Sequence, residues 1–429
     1  MLRLFTYAED KSALQRHLAR SVTFEPEVRR VVLEILDNVQ ARGDDALFEY
    51  TERFQGYRPG TVTVSGDDIR EAFEGEDVEF IGILEESYRN ITAFHEHEAE
   101  KSFFYEPGNG VMLGQRVTPL DSAMLYVPGG KAAYPSSLLM NVAPAQVAGV
   151  RDIYLTTPCG PDGNVSPRIL AAAHVAGVKA IYKFGGAQAV AAFAFGTESV
   201  PKVDKITGPG NKYVALAKKE VFGHVSIDSI AGPSEVAIIA DGSADPEFIV
   251  LDLFAQSEHD PDAASILITD SPDLAESVRR LAVEMIGTME RREVIERAFR
   301  ANGAVILVGD LCEACEVSDM IAPEHLELHV RSPWDIVPYL NHAGAIFMGS
   351  YSCESVGDYF AGPNHTLPTN GTARFFSPLS VRDFIKHTSI VSYSRAELAV
   401  TGEKIARFAD NEGLQAHAEA VRARLRKLS

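Results

Sequence analysis

From about residue 118 the chain alternates short β-branched or aromatic runs with alanine-rich runs of helical spacing, which is the pattern of strand-helix-strand units around a parallel sheet. SAMLYV, DIYLTT, AIYKFG and VDKITG read as strands, with YPSSLLMNVAPAQVAG, SPRILAAAHVAG and GAQAVAAFAFG as their crossover helices. After Asp228 a second series begins with SEVAIIAD, ASILITD, AVILVGD, HLELHV and AIFMGS, separated by helices such as PEFIVLDLFAQSEH and DLAESVRRLAVEMIGTM. Two α/β sheets in tandem are expected, and no fixed short repeat period links them. With 429 residues, 46% of them hydrophobic, the chain has material for two or more compact units.

The flanks read differently. The first hundred residues are expected to be helical: Val31, Val32, Ile35, Leu36 and Val39 have amphipathic spacing, and a second acidic helical stretch runs from Asp77 to Glu100. From Tyr351 to Ser380 periodicity dissolves into a long loop rich in Gly, Pro, Ser and Asn, of the kind that usually carries function. The end, from Ser394, is helical and amphipathic, a candidate arm for packing on another subunit.

The formal charge of −20 argues against a nucleic-acid partner, because phosphate binding needs concentrated Lys and Arg. The start of the chain lacks the apolar core and cleavage site of a secretory signal, and no apolar stretch is long enough for a membrane span, so a cytoplasmic protein is expected. Four cysteines do not make a disulfide framework. Cys312 and Cys315 form a CxxC, but a zinc knuckle needs a second pair, and unrelated thiols on an acidic helix are the better reading.

Several polar groups could carry chemistry. In FAQSEHD, Gln256 and His259 are three residues apart, a spacing that shares a helix face and could offer a carbonyl oxygen and an imidazole to a divalent metal. From this fragment alone, a polar helix end capping a buried strand is the better reading. The loop VGDYFAGPNHTLPT adds Asp358 and His365, and EGLQAH adds Glu412 and His417. Gln, His, Asp and His from separate segments would make a mixed N/O site with room for substrate. Glu324 and His325, in IAPEHLEL, stand at a strand entrance where an adjacent acid and imidazole can divide acid-base work. A capping Glu followed by a surface His is the alternative.

For a cofactor, VDKITGPGNKYVALAKKEV is a strand, a glycine turn and a helix, with Gly208 and Gly210 letting backbone N–H groups approach a phosphate. The third glycine is absent, Tyr213 taking its place, so a tight structural turn fits as well. YVPGGKAAYP, with Tyr126 before Gly129 and Gly130, and FGGAQA, with Gly185, Gly186 and Gln188, provide two more glycine turns at strand ends.

Taken in order, YVPGGKAAYPSSLLMNVAPAQVAGV, GGAQAVAAFAFGTESVPKVDKITGPGN, AGPSEV, QSEHD, APEHLEL, GDYFAGPNHTLPT and EGLQAHAEAV resemble the histidinol dehydrogenase family over nearly the whole chain, the N-terminal portion more loosely. The resemblance implies an α/β fold of two tandem incomplete Rossmann-like units, 118–233 holding NAD and 234–380 holding zinc and the catalytic groups. An N-terminal segment with a helical subdomain (1–117) and a C-terminal helical dimerisation arm (381–429) would flank them. It implies one Zn2+ per subunit on Gln256, His259, Asp358 and His417, the last delivered across a homodimer. Glu324 and His325 would be the acid-base pair; Ser234, His365 and Glu412 would contact substrate; Tyr126, Gln188 and Asn211 would lie at NAD. The implied reaction is oxidation of L-histidinol to L-histidine through the aldehyde, with two NAD. A dehydrogenase of the same scaffold acting on another polar alcohol, such as a sulfonated diol, is the nearest rival. A zinc hydrolase leaves the three glycine turns unexplained, and a non-catalytic nucleotide-binding scaffold leaves the adjacent Glu and His without use.

Overall fold

In the computed structural model, residues 2–18, 24–58, 60–129 and 134–428 are described. They divide into two compact units, 1–98 with 121–384, and 99–120 with 385–429.

The larger unit holds two parallel sheets. In the first, β4 (Ser122–Tyr126), β5 (Asp152–Thr156), β6 (Ala180–Tyr182), β7 (Lys205–Thr207) and β8 (Ser226–Ile227) run in the order β6-β5-β4-β7-β8. The second contains β9 (Glu235–Ala240), β10 (Ala264–Thr269), β11 (Ala304–Leu307), β12 (His325–His329) and β13 (Ala345–Met348), in the order β11-β10-β9-β12-β13. The two orders are the same when each sheet is counted from its own first α/β strand, so both carry the first five strands of a Rossmann-like order without the strand that would follow at the far edge. The expected strands all form, shortened at their ends.

One difference lies at the N-terminus, where helix was expected throughout. Residues Arg3–Thr6 form β1, which extends the second sheet by pairing in parallel with β11. RLFT is too short and too exposed to declare itself; its partner lies three hundred residues away, so only the folded sheet creates it. The helices that follow, among them Pro26–Arg42 and Asp44–Gln55, do not stand apart. Val28, Val32, Ile35, Leu36 and Val39 share one apolar cluster with Ala187–Ala194 of the helix Gly186–Phe195, whose small alanines permit close approach. This subdomain therefore roofs the first sheet.

The smaller unit pairs β2 (Phe103–Gly108), β3 (Val111–Pro119) and β14 (Ile385–Ser392) as an antiparallel sheet, followed by the helices Arg395–Asn411 and Gln415–Leu425. None of these strands belongs to the sequence alternation, because β3 and β14 meet across some 270 residues. No helix among the described residues is long and apolar enough to cross a membrane.

Candidate active site

A cleft of about 920 Å3 lies between the two parallel sheets. Each sheet meets it at its topological switch point, but with opposite ends. The first sheet presents carboxyl ends: Pro128 follows β4, and Gly208–Gly210 follow β7. The second presents amino ends: Ser234 precedes β9, and Glu324 and His325 open β12. This departs from the usual placement of ligands at carboxyl ends in open α/β sheets, and it has an electrostatic consequence. Helix starts face the cleft from the first sheet, whereas the helices Pro246–Ser257, Arg292–Asn302 and Leu311–Ile321 all end toward it from the second. The first wall is suited to anions and the second to cations.

On the first wall, Gly208 has φ +104°, and a Cβ there would lie 2.1 Å from the Tyr126 carbonyl, so only glycine fits. Its N–H donates to Asp228 Oδ2 (2.8 Å) and its carbonyl accepts from Lys218 Nζ (2.9 Å), two buried side chains that are themselves paired. The turn is thus held from behind by a desolvated ion pair. Asn211 lines the cleft and caps the helix Lys212–Val221, its Oδ1 accepting from the N–H groups of Tyr213 and Val214. Tyr126 is buried at the end of β4, where its hydroxyl accepts from Gly186 N (3.0 Å). Gln188 is buried in the first turn of its helix with neither amide atom hydrogen-bonded. Gly130 of the remaining glycine turn lies outside the described residues.

On the second wall, the parallel register sets His325 opposite Val236, which brings Glu324 beside the start of β9. Glu324 Oε2 accepts from Glu235 N (2.9 Å), and His325 Nδ1 donates to the Glu235 carbonyl (3.2 Å). Both side chains are buried. His325 Nε2 makes no hydrogen bond of ordinary length; Asp358 Oδ1 lies 3.8 Å away. Burial pushes the Glu324 carboxyl up to about 8, against the pull of His325 and the Glu235 N–H. Burial alone would depress His325, but Glu354, Glu324 and Asp358 outweigh it and hold the imidazole well above its usual value.

Gln256 and His259 are brought together differently from the expected shared helix face. The helix ends at Ser257, Glu258 caps it, and His259 sits one residue beyond, its N–H donating to the Gln256 carbonyl (3.3 Å). The nitrogen and carboxylate oxygens of His259, Glu354 and Asp358 lie within 4.8 Å of one another, a spacing that can close on one ion. Glu354 was not apparent from the sequence. It belongs to the short helix Glu354–Tyr359, which interrupts the segment read as a loop and places Glu354 and Asp358 one turn apart. An i,i+4 pair of acids flanking a glycine was the one available signal. His365 Nδ1 donates to the Asp358 carbonyl (3.0 Å), and its Nε2 meets Ser137 Oγ (3.3 Å). Burial holds His259 and His365 below the usual imidazole value, whereas three neighbouring imidazoles overcome burial to keep Asp358 ionised. Neutral imidazole and ionised carboxylate are the ligand-ready forms. His325, Asp358 and His365 also line a second cavity of about 740 Å3, so this cluster is reached from two sides. Glu412 and His417 belong to the smaller unit, where both are exposed.

Behind the site, Asp252, Glu327 and His329 form another set, the last two buried and Asp252 partly so. His329 Nε2 lies 3.2 Å from Glu327 Oε2 and 3.5 Å from Asp252 Oδ2. The alternation of β12 puts Glu327 and His329 on the face of His325, and Asp252 precedes Gln256 by one helical turn. Metal-bound imidazoles ordinarily donate their other N–H, and His329 Nδ1 has no partner, so proton sharing suits this set better than a metal. Burial and Glu327 push Asp252 up to about 8. A carboxyl raised in the folded state contributes stability that is full below its unfolded value and is lost as pH rises through about 8. Asp252→Asn should therefore flatten the fall in melting temperature between about pH 4 and 8, by about 1–2 °C for each kcal/mol involved. Equal slopes in both proteins would refute proton sharing.

The free thiols Cys312 and Cys315 lie on the helix Leu311–Ile321, one exposed and one buried.

A glycine turn at a helix start facing a buried acid-base pair across one cleft, between two Rossmann-like sheets, fits the class of NAD-dependent dehydrogenases acting on an alcohol or aldehyde. Comparison with known proteins narrows this. The model of the family described as histidinol dehydrogenase matches residues 18–425. The chain is 66% identical to the histidinol dehydrogenase of Chlorobaculum tepidum over 428 residues, covering all of both chains, and 50% identical to that of Bacillus subtilis, covering 94% of each. The crystal structure of histidinol dehydrogenase from Elizabethkingia anophelis superposes with a TM-score of 0.94 at 35% identity, covering 100% of this chain and 98% of that one. The chain belongs to the histidinol dehydrogenase family.

Proposed function

We propose that the protein oxidises L-histidinol to L-histidine by way of L-histidinal, reducing two NAD per substrate, as the last part of L-histidine biosynthesis. One zinc ion per subunit is held by Gln256, His259 and Asp358, and His417 of the partner subunit completes the set in a cytoplasmic homodimer. The observation that carries this reading is the position of Glu324 and His325 beside His259 and Asp358, across the cleft from the Gly208–Gly210 turn. The donor set fits zinc: imidazole and carboxylate in ligand-ready forms, facing converging helix ends. When bound, the ion supplies a Lewis-acidic anchor for nitrogen donors of the substrate, and NAD supplies the hydride acceptor.

The chain's own groups move the protons. In its neutral form with the proton on Nδ1, His325 donates to the Glu235 carbonyl, which leaves Nε2, the buried nitrogen without a hydrogen bond, to take the substrate hydroxyl proton. Glu324 takes a proton from the water that adds at the aldehyde carbon, and His325 acts again in the second oxidation. Ser234, His365 and Glu412 position the substrate. Tyr126, Gln188 and Asn211 hold NAD, with the Lys218–Asp228 pair keeping the adjacent turn in place.

Counting NADH formed per L-histidinol consumed, with and without a chelator, tests the reading. Two per substrate, lost on chelation, is expected. One per substrate would indicate a simple alcohol dehydrogenase, and none would sink the assignment.

A further inference from the structure

Resting on the metal reading above, we propose that Glu354 is a positioning residue for that centre: it fixes the Gln256 side chain so that the amide oxygen, not the nitrogen, is left to face the ion.

A glutamine amide is an ambiguous ligand. Its oxygen binds metal and its nitrogen does not, and the two exchange places by a half-turn about the last side-chain bond. Something must decide the orientation. Gln256 is fully buried, so water cannot do it. The hydrogen-bonding surroundings do. With the amide nitrogen toward Glu354, its two N–H groups are shared among Glu354 Oε2 (2.9 Å), Glu354 Oε1 (3.2 Å) and the Glu235 carbonyl (3.2 Å), and His325 Nδ1 lies 3.0 Å away. In the reverse orientation an oxygen would confront the same three acceptors. The carbonyl is common to both residue choices at 354, so the carboxylate is the decisive group.

Glu354 is itself held for the task. Glu327 Oε1 accepts from Glu354 N (2.8 Å), which ties the first residue of the Glu354–Tyr359 helix to the middle of β12. One turn later the same helix delivers Asp358. A single short helix thus carries both a ligand and the group that orients another, and β12 anchors it while supplying His325. Glu354 is buried, so its carboxylate is not free to turn away to solvent.

Glu354 also stands within 4.8 Å of the ligand atoms of His259 and Asp358, which makes direct coordination the competing role. Both of its oxygens lie at hydrogen-bond distance from the Gln256 amide, which favours orientation over coordination.

The test uses the full-length protein stripped of metal and titrated with zinc against a chromophoric chelator, and separately with cobalt(II). Glu354→Gln is isosteric but offers one acceptor in place of two and sets an N–H group against the Gln256 nitrogen. Its zinc affinity should fall by about 10–100-fold. The melting temperature of the metal-free form should stay close to wild type, and the visible cobalt bands at saturation should keep their positions. Zinc affinity within twofold of wild type would overturn the proposal, and so would altered cobalt bands at saturation, which would make Glu354 a ligand. Gln256→Ala separates this inference from the one beneath it. If that variant binds zinc like wild type, the metal reading at Gln256 fails; if it loses zinc while Glu354→Gln does not, only the role given to Glu354 fails. Should Glu354→Gln not fold, Glu354→Asp, which withdraws the carboxylate by one methylene, must show the same weakening.

Discussion

His259→Ala is expected to leave a folded protein that retains no zinc and turns over at least about a thousandfold more slowly, since metal anchoring of substrate and the orientation it enforces supply several kcal/mol of the barrier reduction. The fold should survive because His259 lies beyond the end of its helix, contributing its backbone N–H to the cap rather than its ring to the core. Desolvation holds its imidazole below the usual value, so the variant loses chiefly a lone pair, and His325 and His365 remain beside Asp358 to keep it ionised. Metal analysis together with far-UV circular dichroism decides the matter. A zinc-free His259→Ala enzyme with wild-type turnover would show that the cluster is structural.

The second large effect concerns Glu324 and His325, which should separate the two oxidations. His325→Asn removes the nitrogen that takes the hydroxyl proton and should slow both steps by about 10^2–10^4-fold. Glu324→Gln should spare the first oxidation and stall the second, so that L-histidinal accumulates and the NADH yield per substrate falls from two toward one. The pH dependence has a definite sign. Burial pushes the Glu324 carboxyl up to about 8, so its base form grows as pH rises through that value, and the second oxidation should gain accordingly. In Glu324→Gln that rising limb should be absent. An unchanged NADH yield and pH profile in Glu324→Gln would place water activation on another group.

The strands were legible because a parallel strand buried on both faces is a continuous apolar run, and IIA in β9 or ILIT in β10 cannot be mistaken. The individual site residues were legible as types: Glu324 and His325 at a strand entrance, His259 near the end of a helix and Asp358 in a polar loop. Glu354 did not, because a buried acid and an exposed one look the same in a sequence. Nor did the cap turn that joins Gln256 to His259, since spacing by three fits a helix face and a helix end equally. The edge strand β1 and the sheet of β2, β3 and β14 were invisible for another reason: their partners are remote in sequence, and their own residues are largely exposed.

By itself, then, the sequence determined the alternation of strands and helices, the two tandem sheets, the glycine turn after β7 and, through its run of motifs, the family. Local propensity and burial periodicity act within a few residues and need no partner to be read. Only the tertiary structure decided that the two sheets meet the cleft with opposite ends, so that helix starts face one wall and helix ends the other. Only it decided that a helix inside a supposed loop sets Glu354 against Gln256. Charge placement and ligand orientation depend on which ends and faces are brought together, and that is a property of long-range packing.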